Sequence, residues 1–411
     1  MNVVYDITVL GLHFSKEDYK TGVFRVVEFL YHHLNEIEEI NLEYSHTSFY
    51  YYNDYSKKYL EAHGKKGELT IQSKQYYEFL PKSLFGKGHR YFNFIFRQLG
   101  IDLNKSKVVY NAKDLANVEI FHSPFYPIPQ GLKEVKSLKR VITIYDLIPI
   151  LFPHLHTLKK EIEETIDSIG DDFAICISEC TKRDLLKYKP NLDPKKVFVT
   201  MLAASPKVFY KCEDNLKFKA VQEKYGIPEK YFLSLSTLEP RKNIDHVIRS
   251  FVDMVNTYQI EDLSLVLVGV KGWMFDKILE EIENSDHLKD RIIITGRIPD
   301  EDLASIYSHA HSFYYMSLYE GFGLPPLEAM QCGVATVTSN VSSLPEVVED
   351  GGIMLDPMDK EGLVEVMHQL YTDEAYREKY RALGLKQSEK FSWEKCAQKH
   401  YEIYQEILNW K

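Results

Sequence analysis

Glu320-Gly321-Phe322-Gly323-Leu324-Pro325-Pro326-Leu327-Glu328 reads as a loop running into a helix, with a carboxylate at each end. Pro325 and Pro326 lack backbone N–H groups and suit a first helical turn, so the spacing predicts a helix that continues through Leu327, Ala329 and Met330. Glu320 then lies in the loop and Glu328 in the first turn. Gly321 and Gly323 let the backbone approach a ligand, and a helix start carries unpaired N–H donors and partial positive charge, which suits phosphate. An apolar strand candidate at 313–317 precedes the stretch and another at 334–338 follows it. Strand, glycine loop, helix and strand make the unit of a parallel α/β sheet, whose loops bind ligands at the carboxyl edge of the strands. An anion site flanked by two hydroxyl-gripping carboxylates suits a nucleotide sugar, which offers a diphosphate and several hydroxyls. The spacing alone leaves general acid/base work at both glutamates open as well.

The same alternation fills the chain. Strand candidates fall at 3–8, 118–121, 140–145, 173–177 and 196–200, then at 231–236, 263–268 and 291–295. Between them, Val23, Val26, Val27, Leu30 and Leu34 mark one amphipathic helix, and Leu303, Ile306 and Tyr307 a shorter one. A chain of 411 residues exceeds one typical core, and the polar break at 205–230, with Pro206 and Pro228, divides it. Two α/β domains are expected, at 1–205 and 206–393. The last helix, about 394–411, either ends the second domain or packs back on the first.

A net charge of −10 argues against a nucleic-acid partner. No apolar run approaches the ~18 residues needed to span a bilayer. Met1 to Phe14 lacks a basic n-region and reads as a first strand, which points to the cytoplasm. Cys176, Cys180, Cys212, Cys332 and Cys396 are scattered, without zinc spacing, and suit reduced thiols; no metal is expected. From Lys82 to Lys107, six Lys/Arg face a single Asp102 amid Phe85, Tyr91, Phe92, Phe94 and Phe96. This segment reads either as a surface for peripheral membrane or acceptor contact or, the favoured reading, as an ordinary amphipathic helix.

Other junctions carry chemistry. In Leu238-Glu239-Pro240-Arg241-Lys242-Asn243, adjacent Arg and Lys at a strand end can clamp a diphosphate, and Asn243 suits the N-cap of the next helix. Thr21-Gly22-Val23 opens the first long helix. The loops Val268-Gly269-Val270 and Thr295-Gly296-Arg297-Ile298-Pro299 could frame a flat base or be plain turns. His122 ends one strand of the first half, and Tyr145-Asp146 the next. No GxGxxG and no GxxxxGK[ST] occurs, so NAD-type and P-loop sites are excluded.

These pieces, in this order, resemble the retaining GT-B glycosyltransferases of family 4, the group 1 glycosyl transferases, in their EPRKN subgroup. The resemblance is specific over 231–355 (LSLSTLEPRKN, LVLVGVKGW, ITGRIPDEDLASIY, SLYEGFGLPPLEAMQCG) and looser in FHSPFYPIP and VITIYDLIPILFP. It implies two Rossmann-like domains facing across a cleft, with the donor on the second, the acceptor on the first, and the last helix crossing back. It further implies that Glu328 holds the ribose, Glu320 sits by the sugar ring, and Arg241 and Lys242 clamp the diphosphate. His122 would lie beside the donor sugar and Gly22 near the phosphates. Phe322, Gly323 and Leu324 would offer backbone N–H groups, and Gly269 and Ile298 would line the base. The implied reaction is metal-independent transfer from a nucleoside-diphosphate sugar to a glycan, lipid-linked, protein or small-molecule hydroxyl, as in surface polysaccharide synthesis, in the cytoplasm or at the inner face of the membrane. Two departures stand out: Ser236 replaces an Arg common six residues before the clamp Lys, and Tyr145 replaces a common His. A sugar-nucleotide epimerase and a non-catalytic GT-B partner subunit are the competing readings.

Overall fold

A computed structural model describes residues 1–14, 22–75, 106–155 and 158–411. The short apolar runs become strands because a strand buried on both faces needs a near-continuous apolar sequence. The first sheet contains β1 (Asn2–Asp6), β2 (Asn41–His46), β3 (Ile71–Gln75), β4 (Ser106–Tyr110), β5 (Ile120–Ser123), β6 (Lys139–Ile144), β7 (Phe173–Cys176) and β8 (Val197–Val199). Their order is β4-β3-β2-β1-β5-β6-β7-β8, parallel throughout except for the antiparallel pair β3–β4. The second sheet holds β9 (Tyr231–Leu235), β10 (Ser264–Val268), β11 (Ile292–Gly296), β12 (Ser312–Tyr315), β13 (Thr336–Ser339) and β14 (Ile353–Leu355). It is wholly parallel, in the order β11-β10-β9-β12-β13-β14. Strand order reverses between β9 and β12, and in the first sheet between β1 and β5. The loops leaving such neighbours diverge and open a crevice at the carboxyl edge.

Helix Ile244–Tyr258 covers the second sheet with Val247, Ile248, Phe251 and Met254, all fully buried. Each such side chain stabilises the fold by roughly 1.5–3 kcal/mol. Its entry differs from the expected side-chain cap. Asn243 adopts a left-handed backbone (φ 57°), which Asn tolerates, and its Nδ2 donates to the Pro357 carbonyl at 2.7 Å instead. Helix Trp393–Leu408 lies against helix Gly22–Leu34 of the first domain. Trp393 stacks on Phe29 (5.4 Å), and the Tyr404 hydroxyl meets His122 Nδ1 at 2.6 Å.

A polar seam joins the domains. Ser178 Oγ and Thr181 Oγ1, at the start of helix Glu179–Tyr188, donate to the Gly321 carbonyl at 2.7 and 3.2 Å. Glu346 of the second domain accepts from the N–H groups of Glu179 and Cys180, both at 2.7 Å, so a carboxylate sits on a helix N-terminus from across the cleft. Gly321 is required here: a Cβ would lie 2.3 Å from the Tyr145 carbonyl oxygen of the first domain. All five cysteines are free and buried. Residues 82–105 of the basic aromatic segment, and Thr21, lie outside the described residues.

Candidate active site

Arg241 and Lys242 are held in one 3-10 turn, Pro240–Lys242, directly after β9, with Pro240 fixing the entry φ. Glu320 follows β12, the neighbouring strand across the order reversal. The Leu318 N–H donates to the Arg241 carbonyl at 2.9 Å and ties the two loops together. Glu320 Oε1 then gathers four donors: Lys242 Nζ (2.6 Å), Arg241 Nη1 (2.9 Å), the Tyr315 hydroxyl (2.9 Å) and Ser317 Oγ. Arg241 also donates to the Tyr319 carbonyl and to Glu239 Oε1, each at 2.7 Å. Lys242 donates to the Tyr315 hydroxyl at 2.6 Å. Arg241 and Glu320 are each only 8% exposed. Burial would raise the Glu320 carboxyl, but the Lys242 and Arg241 charges outweigh it and hold the pKa at about 2. Burial pushes Lys242 below its usual range, and Glu320 restores part of the loss. The cluster is therefore charged and nearly neutral overall, with two cations close enough to share one anion.

The loop beyond Glu320 is braced from behind. Ser343 Oγ donates to the carbonyls of Glu320 (3.0 Å) and Phe322 (2.6 Å), while Ser178 and Thr181 hold that of Gly321. In a trans peptide the N–H points opposite to the C=O, so the N–H groups of Gly321, Phe322 and Gly323 are turned away from those hydroxyls. Helix Leu324–Gln331 starts one residue before the prolines, capped by Gly323 at φ 128°. Loop amides left free of those hydroxyls, a helix start and two cations can together stabilise a polyanion.

Glu328 stands apart from this cluster. It is buried in that helix and accepts from the Tyr307 hydroxyl at 3.2 Å. Burial lifts its pKa to about 7, against Arg25 and Tyr307, which pull it down. Arg25 comes from the first domain and pairs with Asp300 of the second.

Gly269 and Ile298 follow β10 and β11, at the same carboxyl edge as Arg241. His122 is not in the cleft: it is fully buried, its Nε2 meets Thr143 Oγ1 at 2.8 Å and its Nδ1 the Tyr404 hydroxyl, and burial drives its pKa well down. Both ring nitrogens are taken, so it serves packing between β5 and the last helix. Gly269 (φ 152°) is explained by strand packing, since a Cβ would lie 1.8 Å from the Ser236 carbonyl oxygen. The Ile298 side chain is 5% exposed and belongs to the core. Gly22 starts its helix, and a Cβ there would meet nothing within 4 Å among the described residues. Sequence reading missed Glu239, Tyr315, Ser317, Tyr307, Asp300 and Arg25. Only Arg25 carried a signal, a lone cation in the apolar run Gly-Val-Phe-Arg-Val-Val.

A cavity of about 220 Å³ lies between the domains, with Arg241 on one wall and Val23, Phe125, Tyr145 and Asp146 on the other. A larger depression, about 790 Å³, lies along β2 and β3 with lysines and glutamates mixed, remote from the carboxyl edges. It has no part in the chemistry described.

Two parallel-sheet domains, with a cation pair, a braced amide loop and two carboxylates at the facing edges, define a GT-B glycosyltransferase. The family described as "Glycosyl transferases group 1" matches residues 217–387, a range that contains Arg241, Lys242, Glu320 and Glu328. O-antigen chain mannosyltransferase B of Escherichia coli is 32% identical over 292 residues, 69% of this chain and 74% of that protein. The chain belongs to the group 1 glycosyltransferases. The serotype-specific mannosyltransferase WbdA of Escherichia coli is 30% identical over 328 residues, 74% of this chain but 39% of WbdA, so the match spans less than half of that relative. Sucrose-phosphate synthase from Thermosynechococcus elongatus shares the fold, with a TM-score of 0.66 at 16% identity over 100% of this chain and 99% of that one. No described helix is long and apolar enough to cross a membrane.

Proposed function

We propose that this glycosyltransferase moves a mannosyl unit from a nucleoside-diphosphate sugar to an acceptor hydroxyl of a growing surface polysaccharide, with retained configuration and without a metal ion. The observation that carries the reading is the convergence of Arg241 and Lys242 on Glu320 beside the braced loop. The mannosyl and polysaccharide parts rest on the two mannosyltransferase relatives. The bond between the sugar C1 and the phosphate oxygen breaks, and negative charge grows on the leaving diphosphate. Arg241, Lys242 and the loop amides stabilise that charge, a contribution worth ~10²–10³ in rate for one preorganised donor. The new bond from C1 to the acceptor oxygen forms on the same face, and the acceptor proton passes to the departing phosphate oxygen. Glu328 holds the ribose, and Glu320 faces the sugar while keeping the two cations in register. The two-carboxylate glycosidase scheme requires carboxylates on opposite sides of the bond. Here one carboxylate is bound by the cations, and the other is buried in helix Leu324–Gln331 against Tyr307.

The test is a donor screen: thermal shift, then transfer and hydrolysis, with UDP-, GDP- and dTDP-sugars, the mannosyl forms included. The reading predicts turnover with a mannosyl donor in the presence of EDTA. Turnover only with other sugars removes the mannosyl assignment, and loss of turnover in EDTA that a divalent ion restores removes metal independence. Rearrangement of donor alone, seen by NMR, would instead support an epimerase.

A further inference from the structure

Arg25 lies in the second turn of helix Gly22–Leu34, on the first domain. Its guanidinium does not turn to solvent. Nη2 pairs with Asp300 Oδ1, in the first turn of the second domain's helix Asp300–His309. The same guanidinium carbon stands 6.0 Å from the centre of the Phe209 ring. Phe209 meets Tyr307 edge-on at 6.1 Å, and the Tyr307 hydroxyl binds Glu328. Arg25 is thus linked through Phe209 and Tyr307 to Glu328, though it is anchored on the opposite domain.

Two features make this more than a tether. Side-chain exposures of 22% for Arg25 and 35% for Asp300 leave the pair partly solvated, and such pairs contribute little on their own. Yet Arg25 Nε is buried and has no hydrogen-bond partner among the described residues. A buried guanidinium donor left unpaired is unfavourable until something accepts from it. A nucleoside diphosphate in the cleft brings hydroxyl and phosphate oxygens. The charge of Arg25 is also the leading influence that keeps Glu328 ionisable against its burial.

We propose that Arg25 is a positioning residue of the nucleotide pocket, reaching from the acceptor-side domain to close the cleft through Asp300 and to complete the ribose site of Glu328. The inference rests on the ribose reading of Glu328. Its consequence is that the nucleotide site draws on both domains: the second supplies Glu328, and the first supplies the guanidinium donor.

The experiment compares wild type with Arg25→Met, Arg25→Lys and Glu328→Ala, by calorimetric titration with UDP and GDP and their 2′-deoxy counterparts, and by steady-state transfer. Arg25→Met is expected to weaken binding of the ribonucleotide by about tenfold. The preference for ribo- over deoxynucleotide shrinks with it. The donor KM rises while kcat stays within about twofold, as for an interaction lost equally from ground and transition states. Arg25→Lys, which keeps the charge but not the fork, recovers part of the affinity, and it provides the same comparison should the Met variant fail to fold. Wild-type affinity, ribose preference and donor KM in Arg25→Met overturn the proposal. If Glu328→Ala loses affinity while Arg25→Met does not, the ribose site stands and Arg25 is excluded from it. If neither loses affinity, the ribose reading itself fails.

Discussion

Replacing Glu328 by Gln removes a carboxyl whose pKa burial pushes up to about 7, against the pull of Arg25 and Tyr307. In the unfolded chain the same group titrates near ~4.3. Between those values the unfolded chain has released its proton and the folded protein keeps it, so stability falls as pH rises from about 4.3 to about 7. At 1.36 kcal/mol per unit, the loss amounts to about 4 kcal/mol. The Gln variant has no such titration. Its carbonyl can still accept from Tyr307, but its amide N–H groups lose their certain partners, at about 1–3 kcal/mol and independent of pH. Wild type should thus be the more stable protein near about pH 5, and its advantage should shrink or reverse by about pH 8. Paired urea and thermal melts at constant ionic strength measure the gap. A change of about 4 kcal/mol corresponds to roughly 8–16 °C for a domain of this size. Parallel stability curves for the two proteins across that range would refute the buried, uncompensated carboxyl. Nucleotide affinity should move the other way, because a carboxylate accepts from two ribose hydroxyls and the amide carbonyl is a weaker acceptor. A variant that gains stability at high pH and loses binding is the trade-off expected where a site stores strain.

Lys242→Ala should cut transfer by at least about 100-fold in a protein that still folds; near-normal kinetics would remove the clamp assignment. Glu320→Gln leaves two buried cations short of an anion and should destabilise the second domain by about 3–5 kcal/mol near neutral pH. With its folded pKa at about 2, Glu320 contributes stability above its unfolded pKa that is lost as pH falls. The gap between wild type and Glu320→Gln should therefore narrow on acidification, and a constant gap would contradict the ion cluster. Gly321→Val would drive a side chain into the Tyr145 carbonyl; small-angle scattering should show a larger particle and assays a loss of transfer, whereas an unchanged radius with full activity would contradict the seam. His122→Gln should lower stability more than turnover, since its ring contacts only core groups.

The second sheet was legible because its central strands are continuous apolar runs, and the loops after β9 and β12 advertised their chemistry through Arg-Lys and the glycine-proline pattern. The strands missed were β2, β3, β4 and β14. Asn-Leu-Glu-Tyr-Ser-His and Ile-Gln-Ser-Lys-Gln carry too many polar groups to read as buried strands, and Ile-Met-Leu is too short. Such sequences belong at or toward sheet edges, where one side meets water. The contribution of Arg25, Tyr307 and Asp300 was not legible, because it depends on which helix of one domain meets which helix of the other. His122 misled for a related reason. A histidine at a central strand end suggested a ligand, but the last helix, 282 residues later in sequence, fills the space in front of it with Tyr404.

That last helix gives the molecule a second hinge pin. The chain passes between domains once after β8 and again between helices Glu374–Ser388 and Trp393–Leu408. One covalent crossing lets two bodies swing about any direction, whereas two separated crossings leave a single easy axis running through both. A rotation about that axis is expected to part Arg25 from Asp300 and Gly321 from Ser178 together. Distances from paired spin labels, one on each domain, should vary along one curve and not scatter over a volume.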